Sequence, residues 1–209
     1  MSTLKKTIVV LGIILLCIIL VLAITLRLKN KPTAEVQSTS ASSSAQPTAS
    51  PFKLYDNHDS RYSIQYPAEW TYDASAEQGT VVFTGKTGTP SFYSTINIQT
   101  VLTKKTGGEY ANVKQFIADI KKQAARQSSH PVFLEHGPTT MVEADGSKAQ
   151  GEYLIFTYRY KNIEFKQWQI VVLRSDNQVF YAWAYTAPAQ LYQNDLATAQ
   201  TMLKSWVIY

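Results

Sequence analysis

Three histidines, His58, His130 and His136, and the acids around them are the residues in this chain whose types invite a chemical reading. The densest run of possible oxygen and nitrogen ligands is Asp56-Asn57-His58-Asp59. A calcium loop beginning at Asp56 needs a glycine at its sixth position and an acid at its twelfth. The chain has Arg61 and Pro67 there, so the run reads as a turn before a strand. His130 and the Glu135-His136 pair bracket a Pro-Val-Phe-Leu segment. A zinc protease places its two histidines four apart on one helix, and Pro131 argues against a helix here, so these read as solvated loop histidines. The sequence has no Gly-x-Ser-x-Gly elbow, no phosphate loop and no cysteine after Cys17. No metal and no cofactor is expected, and a hydrolase built from carboxylates and loop histidines is the weakest functional reading.

The aromatic residues are the other candidates. All thirteen tyrosines and all four tryptophans lie beyond residue 52. Tyrosine and tryptophan suit binding surfaces because each brings a large apolar area with a polar tip. Trp70, Trp168, Trp183 and Trp206 fall at core-compatible positions. Tyr55, Tyr93 and Tyr110 sit at strand ends or in loops, and are the candidate binding residues.

The elements that must position them follow from periodicity. Tyr62 to Tyr66 alternates and stops at Pro67, which cannot donate to a strand ladder. Val81-Val82-Phe83 and Phe92 to Leu102 read as two strands around a GKTGTP loop, with Ile96, Ile98 and Leu102 on one face and Asn97 and Gln99 on the other. From Asn112, a good N-cap residue, Val113, Phe116, Ile117, Ile120 and Ala124 form the apolar stripe of a helix. Three long strands follow over about 149–160, 163–174 and 178–186, joined by short hairpin turns into an antiparallel meander. Their two faces are both apolar, so both should be covered. A closing helix from about Pro188 lines up Tyr192, Leu196, Ala199, Leu203 and Trp206 as one of those covers. The fold class is α+β, an antiparallel sheet flanked by helices.

Ahead of this domain lies an apolar run, Ile8 to Leu26, nineteen residues without a charge, flanked by Lys5, Lys6, Arg27, Lys29 and Lys31. As a helix it reaches roughly 28 Å, close to the hydrocarbon thickness of a bilayer. A cleavable signal has a shorter apolar core and a small-residue cleavage site, and Cys17 follows two leucines rather than the small residue of a lipoprotein signal. Residues 1–31 therefore read as an uncleaved transmembrane anchor that meets membrane lipid through residues 8–26. The flanking charges do not decide orientation, but long domains translocate largely regardless of charge. The expected site is the plasma membrane, single-pass, with the C-terminal domain extracytoplasmic.

Residues 32–51, almost all Ser, Thr, Ala, Pro and Gln, read as a disordered linker of about 25 Å end-to-end distance. The net charge of +5 belongs to the anchor: residues 52–209 hold fifteen Lys/Arg against fourteen Asp/Glu. No nucleic-acid footprint is expected. With roughly 158 residues, the domain can build a core without disulfides or cysteine-bound metal.

Tyr62-Ser63-Ile64-Gln65-Tyr66-Pro67, with Trp70 three positions on, resembles the (F/Y)-S-I-x-Y-P-x-x-W opening of PsbP-like domains. The ending is similar too: Phe180 to Tyr185 as an aromatic strand, Ala187-Pro188, a helix, then Met202-Leu203-x-Ser205-Trp206, like the family's ML-x-S-(F/W) tail. The resemblance covers residues 52–209 and implies an αβα sandwich around an antiparallel sheet. It also implies non-enzymatic binding, since the family includes the extrinsic photosystem II subunit of plants, a nuclear-import factor that binds a small GTPase, and many bacterial envelope proteins. Photosynthetic members act through an N-terminal extension. Here that position holds the linker and anchor, so the chain is most similar to the membrane-anchored bacterial members. The expected role is a binding or scaffold domain that contacts an envelope protein or glycan. The alternative is a small-molecule or lipid carrier with a cavity between sheet and helix.

Overall fold

A computed structural model of the chain describes residues 51–74 and 79–209. The expected anchor and nearly all of the expected linker lie outside the described residues. Among the described residues, no helix is long and apolar enough to cross a membrane.

In chain order the elements are β1 (Phe52–Asn57), β2 (Tyr62–Pro67), β3 (Thr71–Asp73), β4 (Thr80–Thr84), β5 (Thr95–Leu102), α1 (Val113–Gln127), β6 (Ser129–Val142), β7 (Lys148–Tyr160), β8 (Ile163–Leu173), β9 (Val179–Pro188), α2 (Leu196–Ser205) and β10 (Val207–Ile208). Seven strands form one sheet in the order β3-β4-β5-β9-β8-β7-β6, and β1-β2-β10 form a second. Every strand pair is antiparallel. The fold is thus α+β, and its large sheet is covered on both faces.

β9 shows why. All ten of its residues are buried. Tyr181, Trp183 and Tyr185 face a first core with Tyr62, Ile64, Trp70, Met202 and Trp206, supplied by the small sheet, α2 and the short connections beside them. Phe180 and Ala182 face a second core with Phe116, Ile117, Ile120 and Ala124 of α1. The Phe116 and Phe180 rings meet edge-on at 5.6 Å, in the same cluster as the small Ala182. α1 begins as the sequence requires: the Asn112 side chain accepts a hydrogen bond from the Gln115 backbone N–H at 3.0 Å.

The two motifs that mark the ends of the domain meet in space. Ser205 Oγ accepts a hydrogen bond from the Gln65 backbone N–H at 2.9 Å. Trp206 packs edge-on against Tyr62 at 6.4 Å and Tyr181 at 6.2 Å. Opening strand and closing tail are therefore one structural unit, although 140 residues separate Gln65 from Ser205.

Four boundaries differ from expectation. The segment holding His130 and His136 is not a loop but the fourteen-residue edge strand β6. Pro131, Pro138 and two register shifts break its pattern, and none of its residues is fully buried, so neither face demands a clean apolar alternation. Asp56-Asn57 ends a strand rather than preceding the first one. Phe92 lies in a short 3-10 turn, Pro90–Tyr93, before β5 starts at Thr95. β9 continues to Pro188, and α2 begins only at Leu196. Asn97 and Gln99 do point away from Ile96 and Ile98, yet all four are buried, because the second face is covered as well.

The two ends of the sheet differ in chemistry. At the end reached by the β6–β7 and β8–β9 turns, the buried charges are satisfied within the protein. Buried Glu143 accepts from the Ser175 N–H at 2.8 Å, the Ser175 hydroxyl at 2.7 Å and the Ser147 hydroxyl at 2.9 Å. Arg174 pairs with Asp176 at 2.7 Å. Hydrogen bonding to Arg174 holds the Asp176 carboxyl below its ordinary 3.8. Such a group stabilises the fold fully above 3.8 and progressively less as pH falls through its lowered value. Thermal melts from pH 5 downward should therefore show an acid loss that shrinks in Asp176→Asn; an identical acid profile would remove Asp176 from the account.

Candidate functional site

The opposite end carries an apolar groove of about 420 Å³, lined by Gly88, Thr89, Pro90, Phe92, Tyr93 and Leu191. Two connections build it: the Gly85–Ser94 loop between β4 and β5, and the turn between β9 and α2. The loop is folded tightly on itself. The Thr89 hydroxyl donates to the Lys86 carbonyl at 2.7 Å, and Pro90 starts the 3-10 turn with its fixed φ. Gly85 passes so close to the Ser91 carbonyl that a Cβ there would lie 2.1 Å from its oxygen, so no other residue fits without moving the loop.

Asp195 joins the two halves. It occupies the N-cap position of α2, yet its side chain makes no cap bond to the helix. Its carboxylate instead accepts from the Ser91 hydroxyl at 2.8 Å and the Ser94 hydroxyl at 2.7 Å. These are short, charge-assisted bonds in a buried setting, each among the stronger hydrogen bonds a protein makes. Beneath the turn, the Tyr185 hydroxyl donates to the Tyr192 carbonyl at 2.7 Å. Burial pushes the Tyr192 phenol up to about 12, and Lys166 Nζ stands 4.8 Å from the centre of its ring. The result is a preformed wall: apolar lining, no charged group in it, and a hydrogen-bonded frame behind.

The three expected binding tyrosines are not brought together. Tyr93 lines the groove, half-buried, with its ring edge-on to Phe92 at 5.6 Å. Tyr55 lies within β1, half-buried among Tyr62, Tyr72 and Phe83, and its hydroxyl accepts from Asn57 Nδ2 at 3.3 Å. Tyr110 is 6% exposed, stacked on Phe116 at 4.6 Å, and its hydroxyl donates to Asp119 at 2.7 Å. Burial and that hydrogen bond to Asp119 push its phenol well above the ordinary tyrosine range. Trp70, Trp183 and Trp206 are buried, and Trp168 is half-buried against the first core. His58 stands exposed 3.5 Å from Asp56, while His130 and His136 are exposed on β6. Among the described residues, no group of three His, Cys, Asp or Glu side chains could hold a metal ion.

Sequence reasoning missed Leu191 and the Ser91–Ser94–Asp195 clamp. Their segments read as strand and helix, and only the loop's turn-rich GKTGTP composition signalled an irregular element.

Cyanobacterial PsbP (CyanoP) of Synechocystis superposes with a TM-score of 0.53 at 12% identity, covering 80% of this chain and 98% of that one. The Ran-binding protein Mog1p of Saccharomyces cerevisiae gives 0.46 at 9% identity, covering 75% of this chain and 95% of its own. LpqN of Mycobacterium tuberculosis, involved in cell envelope biogenesis, gives 0.42 at 15% identity, covering 77% and 87%. No curated protein matches the sequence. The sequence model of the PsbP family matches residues 50–208, which span both end motifs and every element of the two cores, and the chain belongs to that family.

Proposed function

We propose that this protein is a membrane-anchored, non-enzymatic binding module. Residues 8–26 hold it in the plasma membrane, residues 32–51 act as a tether, and the PsbP domain stands on the extracytoplasmic side. Its partner is an envelope protein that lays an uncharged apolar or proline-containing segment into the Tyr93 groove. The observation that carries this reading is the groove's frame. A loop held by Gly85, Pro90 and the Asp195 clamp keeps Phe92, Tyr93 and Leu191 in place before any partner arrives. Preorganisation of that kind lowers the entropy cost of binding. An interior carrier cavity is less well supported, because Phe116, Ile120 and Phe180 fill the space between α1 and the sheet.

A photo-crosslinking amino acid in place of Tyr93, in intact cells, tests it. The expected result is a discrete adduct that Leu191→Glu abolishes and that the same probe at exposed Gln178 does not give. The same adducts from both positions would sink the assignment. In the same cells, Gln178→Cys in a Cys17→Ser background is expected to react with a membrane-impermeant maleimide without lysis; reaction only after lysis would put the domain inside.

A further inference from the structure

The end of the sheet that carries the groove is also where the chain enters the domain. The Pro51 carbonyl accepts from the Ala68 N–H at 2.8 Å, and Phe52 pairs with Pro67. Thr71, a few residues on, pairs with Thr84, the last residue before the Gly85–Ser94 loop. Following the register across the sheet, Thr84, Thr95, Thr186 and Gln167 are successive neighbours. Beyond them at this same end lie the β7–β8 turn at Lys161-Asn162 and the last turn of α1, because Ser129 pairs with Arg159.

The exposed charges here are mostly basic. Lys53, Lys86, Arg126, Arg159 and Lys161 are exposed, and among the described residues none of them forms an ion pair. Glu69 and Glu164 are the exposed acids nearby. Apolar groups stand among the basic ones: Ile163 is 43% exposed, Pro90 is exposed, and Tyr93 and Tyr160 are half-buried. At the far end Arg174 and Glu143 are engaged internally, and the exposed bases Arg61, Lys104, Lys105 and Lys148 stand among as many exposed acids, Asp56, Asp59, Glu109 and Asp145.

We propose that this pole docks on the anionic phospholipid headgroups of the bilayer in which the chain is anchored, an inference that rests on the anchor reading above. Unpaired basic side chains supply the attraction to lipid phosphates, and Ile163, Tyr160 and Tyr93 are the kinds of side chain that settle at a membrane interface. The chain enters the domain at this pole, so an anchor ahead of it brings this face, rather than the far one, toward the membrane. Tethering raises the effective concentration, so a weak intrinsic affinity suffices. Docked in this way, the groove opens at headgroup height, where it meets segments of a partner that emerge from the membrane.

The test uses the full chain, Cys17→Ser, in nanodiscs carrying a headgroup-spin-labelled lipid, with a fluorophore at Ile163→Cys or, at the far pole, Gln178→Cys. Discs of phosphatidylcholine with and without phosphatidylglycerol are compared. In the anionic discs the Ile163 probe is expected to be quenched and the Gln178 probe not. Each basic residue near an anionic surface contributes about fivefold, so Arg126→Glu with Lys161→Glu should lower the docked-to-free ratio at least about 25-fold. High salt should do the same, since the screening length falls to about 3 Å at 1 M. Equal quenching of both probes, or quenching that neither lipid charge nor the double substitution changes, overturns the proposal. A chain that incorporates into discs but is never quenched overturns docking alone; one that does not incorporate overturns the anchor and the docking together.

Discussion

Trp183→Ala is expected to lower the unfolding free energy by about 3–5 kcal/mol and the melting temperature by roughly 10 °C. Trp183 is fully buried at the centre of β9, between Ile98 of β5 and Ile170 of β8, with Trp168 edge-on at 5.3 Å. β9 is the middle strand of the seven, so neither neighbour can close the hole without dragging the sheet. One effect works the other way. The indole N–H of Trp183 has no hydrogen-bond partner, and its loss relieves an unsatisfied buried donor. Trp183→Phe removes that donor while keeping most of the volume, and is expected to cost about 1 kcal/mol. Thermal unfolding of the full chain followed by circular dichroism measures both. A melting temperature for the alanine variant close to that of the parent would mean that the first core does not control stability.

Asp195→Ala is expected to cost about 2–4 kcal/mol, from two charge-assisted bonds and a stranded Ser94 hydroxyl. Ser94 is fully buried, so its hydroxyl cannot turn to water when the carboxylate is gone. The cost should be coupled. In a double-mutant cycle with Ser94→Ala, the interaction energy is expected to be about 1.5–3 kcal/mol. The functional consequence is separate from the stability one: with the clamp removed, the Gly85–Ser94 loop is no longer tied to α2, and the crosslink from Tyr93 should disappear. Additive single effects, with the adduct intact, would show that Asp195 neither frames the groove nor depends on Ser94.

Much of this architecture is legible in the sequence, for reasons that can be named residue by residue. The stripe Phe116, Ile117, Ile120 and Ala124 with a capping Asn112 leaves one way to make a buried helix, and the observed α1 follows it. The meander β7-β8-β9 is equally plain, because turn residues bound long runs of β-formers. β6 is not legible, because an edge strand with Pro131, Pro138 and bulges is under no pressure to alternate. The groove is legible only in part. Tyr93 stands out as an aromatic beside a turn, but Asp195 reads as one more polar residue within a helix that starts at about Pro188. Its side chain turns instead to serines 101 and 104 residues earlier in the chain, a contact that no local pattern encodes.

The direction in which β1 runs has a mechanical meaning. Phe52, its first residue, lies at the pole that carries the groove, and the strand runs away from that pole along β2, paired through six residues to Asn57. Tension on the chain ahead of Phe52 therefore acts along the strand and shears it against β2. All six pairs share the load at once, instead of opening in turn from one end. β2 is itself held by β10 on its other side and by Ser205 at Gln65, so it does not follow β1 outward. A pull at Pro51 thus has to break all six pairings together before β1 can leave the domain.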